Sequence, residues 1–167
     1  MYSRTATEGV HDDKGKQVRD DSVEFTVLGE AKPQGSKKAI PKRYGRGVNL
    51  VESAGEPLKW WRYYVSLEAH QAMAGRDKFE GAVGVSISFY FTRPASHFGT
   101  GKNAGKLKKS SPVHHVVRPD IDKLTRAVLD SLTKRVYRDD SCVVKLEVTK
   151  DYTGGDARTE IEVWEIG

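Results

Sequence analysis

The chain has 167 residues, a formal net charge of +5 and 37% hydrophobic residues, which suits a single domain with a real core. No segment approaches the apolar length of a membrane span, and the polar N-terminus has no signal-peptide core, so a membrane setting is excluded and a cytoplasmic one expected. The single cysteine, Cys142, excludes an intrachain disulfide and reads, within the apolar run Cys142-Val143-Val144, as a buried inert thiol.

Residues 1–21 are polar, mixed in charge and without hydrophobic period, and read as a flexible tail; residues 22–167 read as the domain. Val23, Phe25 and Val27 alternate with polar neighbours and mark a first strand, ended by Gly29 and Pro33-Gln34-Gly35. From Ser36 to Asn49 the chain is basic and punctuated by glycine, a loop or hairpin. Pro57 opens a helix that runs to about Gly75, its aromatic residues (Trp60, Trp61, Tyr64) at helical spacing and read as packing on a sheet. Val83, Val85, Ile87, Phe89 and Phe91 define the clearest strand, stopped by Pro94.

From Ala95 to Val117 lies a long loop rich in Gly, Ser, Lys and His. A loop of that length in a compact domain is usually functional or disordered, and this one reads as a DNA-contacting flap because it leads into an acidic motif. Its His114-His115 pair lacks metal-ligand spacing and reads as loop histidines. Ile121, Leu124, Val128 and Leu132 then form the buried stripe of a second helix, while Asp122, Arg126 and Asp130 recur every four residues along another face. Val136 to Thr149 reads as a strand, Gly154-Gly155 as a turn, and Thr159 to Ile166 as a last strand. The order β-α-β-α-β-β predicts an α+β domain, a mixed sheet with helices packed on it.

Charge is distributed unevenly. Between Glu30 and Glu52 the only charged side chains are Lys32, Lys37, Lys38, Lys42, Arg43 and Arg46. Between Glu80 and Asp120 they are Arg93, Lys102, Lys106, Lys108, Lys109 and Arg118. Both basic runs precede the acidic pairs Asp120-x-Asp122 and Asp139-Asp140, and the combination makes nucleic acid the expected partner. Carboxylates so concentrated need a compensating cation. Hard divalent ions bound by oxygen suit phosphodiester hydrolysis, with Asp120, Asp122 and Asp140 as ligands and Arg126 set to meet the scissile phosphate. In an extended segment Asp139 and Asp140 point to opposite faces, so only one of them is expected to enter the site. An EF-hand, a phosphate loop and a nucleophile elbow are all missing.

The run Arg118-Pro119-Asp120-Ile121-Asp122-Lys123-Leu124-Thr125-Arg126-Ala127-Val128-Leu129-Asp130-Ser131-Leu132, followed by Val136-Tyr137-Arg138-Asp139-Asp140-Ser141, resembles the RusA family of Holliday junction resolvases. The segment from Phe25 to Lys38 is similar to that family's first strand and basic turn. The resemblance implies a homodimeric, Mg2+-dependent endonuclease, with Mn2+ a possible substitute, that nicks four-way DNA junctions symmetrically and is often phage-encoded. Asp120, Asp122 and Asp140 match the family's metal-binding aspartates. Arg126 falls where the family has an essential lysine, and Lys123 replaces its usual asparagine. An electrostatic role for that lysine carries over to arginine; a proton-transfer role does not. DNA contacts are expected from Lys37, Lys38, Lys42, Arg43, Lys106, Lys108, Lys109, Arg118 and Lys123. Two other classes fit the same residues: a branched-DNA-binding module without catalysis, and a metal nuclease acting on flaps or RNA.

Overall fold

The computed structural model describes residues 21–35, 37–41, 43–52 and 55–167. The expected tail, apart from Asp21, and Lys42 lie outside the described residues, as do the side chains of Lys37 and Lys38. Strand β1 (Ser22–Leu28) is followed by a hairpin of β2 (Lys37–Pro41) and β3 (Val48–Glu52), then α1 (Gly55–Ala72), β4 (Val83–Thr92), α2 (Ile121–Leu132), β5 (Val143–Thr153) and β6 (Arg158–Glu165). The sheet order is β1-β6-β4-β5, with β4 and β5 parallel and the other pairings antiparallel. The expected mixed-sheet α+β domain is what the chain forms.

Register fixes which side chains share a face, because directly opposed residues point the same way. Val23, Val163, Val85 and Leu146 form one row across the sheet, and Phe25, Ile161, Ile87 and Val148 form the next. Helix α1 buries Leu58, Trp61, Val65 and Ala69, and α2 buries Leu124, Ala127, Val128 and Leu132, in one core with the inner positions of these rows. Trp60, Tyr63 and Tyr64, by contrast, are exposed on the outer side of α1. Of the aromatic set expected to pack on the sheet, only Trp61 does so.

The core does not extend to the end of each row. On β5, Val144 and Leu146 are 63% and 45% exposed, so the apolar alternation is real but overhangs the helices. The β5 strand also begins later than the sequence suggests. Residues 133–142 form no strand: Tyr137 is fully buried, donates its hydroxyl to the Leu129 carbonyl at 3.1 Å, and brings the chain back under α2. A 3-10 turn over Asp140–Cys142 then leads into β5. Cys142 within it is only half-buried, a correction to the expected buried thiol.

On the opposite face the Trp164 indole lies against Gly84. A Cβ on Gly84 would lie 2.1 Å from the indole, so only glycine fits there.

Candidate active site

Helix α2 begins where Asp120 supplies its backbone carbonyl to the Leu124 N–H at 3.1 Å. Asp120 occupies the N-cap position, yet its side chain makes no capping hydrogen bond and instead pairs with Lys123 at 3.2 Å. Asp122 lies in the first turn, where the helix dipole favours a carboxylate. Because Leu124, Ala127 and Val128 are anchored in the core, the opposite stripe, Asp122, Arg126 and Asp130, is held outward.

Asp140 comes from the 3-10 turn. Asp139 caps that turn by accepting from the Ser141 N–H at 3.1 Å, and these Ser141 hydrogen bonds hold the Asp139 carboxyl below its ordinary value. The expectation of a strand at 139–140 is therefore corrected: one carboxylate enters the site and one stays out, but through a cap rather than through strand alternation.

A groove of about 500 Å³ opens where α2 fails to cover β5. Asp122, Arg126, Asp130 and Asp140 line it together with Ile121, Thr125 and Leu129, and Leu146 and Val148 form its floor. Asp122, Arg126 and Asp140 are exposed on it and Asp130 is partly buried, so the groove presents its charges to solvent above an apolar floor. Among the described residues Arg126 makes no ion pair, so its guanidinium stands uncommitted. Asp120 does not line the groove, and among the described residues no three His, Cys, Asp or Glu side chains are grouped as a ready metal cage. Two carboxylates that could serve a hard divalent ion as oxygen donors, Asp122 and Asp140, share the groove, and Asp120, half-exposed and uncapped, directly precedes the lining residue Ile121 in the chain.

The surroundings hold this arrangement from two sides. The Gln34 N–H donates to the Lys123 carbonyl at 3.0 Å, docking the basic turn after β1 on the start of α2. On the other side, the Lys150 ammonium of β5 donates to the Val117 carbonyl at 2.9 Å and the Pro119 carbonyl at 2.8 Å, immediately before Asp120. Sequence reasoning missed Lys150, because its partners are backbone carbonyls that no residue pattern marks.

The loop from Ala95 to Val117 is structured. It contains 3-10 turns at Ala95–His97 and Gly101–Asn103, and bridges between Phe98 and Leu107 and between Gly99 and Ala104 close it on itself. Arg93 clamps its end by donating to the Pro112 and Val113 carbonyls at 2.8 and 3.0 Å. The two histidines divide the work. His114 pairs with Asp151 at 2.8 Å in the open, while His115 is buried and stacked on Phe91 with centroids 4.2 Å apart. Burial, assisted by the Lys150 charge, pushes the His115 pKa below its ordinary value.

Of the expected DNA contacts, Lys106, Lys108, Lys109, Arg118, Lys123 and Arg43 are exposed; Lys108 donates to the Ser96 carbonyl at 2.9 Å and Lys123 is taken by Asp120.

Carboxylates and a guanidinium without an ion pair among the described residues meet on one apolar-floored groove in a basic α+β domain, an arrangement that suits a phosphodiester substrate. The family described as Endodeoxyribonuclease RusA matches residues 30–164, and the chain belongs to that family. It is also 31% identical over 146 residues to "Uncharacterized protein YqaN" of Bacillus subtilis (strain 168), a match covering 87% of this chain and 98% of that protein. No helix among the described residues is long and apolar enough to cross a membrane.

Proposed function

We propose that this endodeoxyribonuclease resolves four-way DNA junctions by paired nicks, as a homodimer that depends on Mg2+ or Mn2+. The observation that carries the reading is the grouping of Asp122, Asp140 and an unpaired Arg126 on one open groove. Asp120, Asp122 and Asp140 would hold the ion, Asp120 turning from Lys123 toward the groove. When bound, such an ion supplies Lewis-acid activation of water and neutralises charge at the phosphate. The protein's own part is positioning. The α2 turn and the capped turn at Asp140 present the carboxylates, and Arg126 meets the scissile phosphate with a fixed fork of donors. Lys123, Arg118 and the lysines of the 95–117 loop follow the flanking backbone, where each neutralised phosphate steepens the salt dependence of binding. Two symmetric cuts call for two related sites, which a two-fold dimer provides.

The test is a synthetic four-way junction with and without Mg2+, beside flap, duplex and RNA substrates. Metal-dependent paired nicks in the junction, and binding without cutting by Asp122→Asn, are expected. Failure to cut any branched DNA with either metal would overturn the proposal. Sedimentation of the free protein checks the dimer.

A further inference from the structure

We propose that Arg62, on α1 and outside the acidic motif, is a positioning residue that keeps Arg126 available by occupying Asp130. The inference rests on the reading that Arg126 meets the scissile phosphate. On α2, Arg126 has a carboxylate one turn before it, Asp122, and another one turn after it, Asp130. Cations and anions four residues apart on a helix pair readily. Arg126 nevertheless pairs with neither, and the Asp130 side shows why. Its carboxylate already faces the Arg62 guanidinium at 3.8 Å, with both side chains about one-third exposed or less (32% and 28%).

That reach is set by how the helices pack. Arg62 follows the buried Trp61 and lies one turn before Ser66, whose hydroxyl donates to the Ser131 carbonyl at 3.0 Å. This bond locks α1 against α2 beside Asp130, so Arg62 projects toward that carboxylate. Asp130 is the ion-pair partner that the structure gives Arg62 among the described residues. Without Arg62, Asp130 would stand half-buried in a groove that also contains Asp122 and Asp140. Its nearest replacement cation is then Arg126, drawn one turn along the helix and away from the phosphate. Arg62 and Asp130 thus act on the reaction through Arg126, without touching the substrate.

The experiment compares the full-length protein with Arg62→Gln, Asp130→Asn, the double variant, and Arg62→Lys as a charge-conserving control. Two quantities are read: single-turnover cleavage and Kd on a four-way junction, and the Nε–Hε resonance of Arg126 by NMR in the DNA-free protein. Arg62→Gln is expected to lower the cleavage rate about fivefold, the factor expected from a partly exposed ion pair, with the junction Kd unchanged. The double variant should recover the wild-type rate, and Arg62→Lys should keep it. The Arg126 resonance should shift and gain exchange protection in Arg62→Gln, and should return to its wild-type position in the double variant. A rate that Asp130→Asn does not rescue, a raised Kd in Arg62→Gln, or an Arg126 resonance unmoved by Arg62→Gln would each overturn the inference. If the wild-type protein cuts no branched DNA, the proposed function fails, and the resonance alone decides whether Arg62 governs Arg126.

Discussion

The two acidic pairs, Asp120-x-Asp122 at the start of α2 and Asp139-Asp140 before β5, look alike in the chain and are built differently. In the first, helix geometry turns Asp122 into the groove while Asp120, at the N-cap position, spends its charge on Lys123. In the second, a 3-10 turn delivers Asp140, and Asp139 is consumed in holding that turn. Each pair thus contributes one carboxylate to the groove and uses the other locally. Asp120, however, can be recruited by moving one side chain, whereas recruiting Asp139 would undo the turn that presents Asp140.

The largest test of that difference is catalytic. Asp122→Asn and Asp140→Asn should each reduce junction cleavage by about 10²–10³-fold or more, the range for losing a preorganised electrostatic group, whereas Asp139→Asn should cut at near the wild-type rate. Single-turnover assays decide it, and Asp120→Asn sharpens it: a loss as large as that of Asp122→Asn places Asp120 with the ion, and wild-type cutting leaves it with Lys123.

A second test concerns the platform beneath the pairs. Leu124, fully buried under the first pair, should cost about 2–5 kcal/mol on replacement by alanine in a denaturant melt. Leu146, 45% exposed on the groove floor beside the second pair, should cost well under half of that in the same melt.

Lys150→Met offers a third. Removing the ammonium leaves the Val117 and Pro119 carbonyls without their partner, at a cost of about 1–3 kcal/mol for a charged hydrogen bond. Hydrogen exchange should rise at residues 113–120 and stay unchanged around Asp140, which separates the two pairs mechanically.

The smallest effects are with pH. The Asp139 carboxyl is held below its ordinary value of 3.8 by Ser141, so the cap's contribution is complete above that value and is lost as pH falls through the depressed one. His115 is favoured in its neutral form, so its contribution is complete above 6.5 and declines as pH falls below it. Exchange at residues 113–117 should therefore increase on mild acidification in the wild type and be flat in His115→Phe, while the Asp140 turn loosens only in stronger acid.

Much of this was legible in the chain. The stripe Ile121, Leu124, Val128 and Leu132 predicts α2 and hence the facing of Asp122, Arg126 and Asp130, although Ile121 turns out to be 39% exposed at the groove. The alternation from Val83 to Phe91 predicts β4. The start of β5 was not legible, because Val136 and Tyr137 are as apolar as strand residues and only tertiary burial shows that they belong to a return beneath α2. The order within the 95–117 loop was hidden for a related reason: it depends on backbone bridges and on His115 finding Phe91. Arg62 and Lys150 escaped notice because lysines and arginines at half-exposed positions carry no periodic mark, and their partners lie far away in sequence.

Chain order and sheet order part company at β6. Of the six described strands β6 is the last in chain order, yet it lies between β1 and β4. On a ribosome, α2 and Asp140 emerge before the strand that joins β1 to the rest of the sheet. Among the described strands β6 is thus the one link between β1 and the β4–β5 half that bears the groove, so the sheet closes only by pairing segments from opposite ends of the domain.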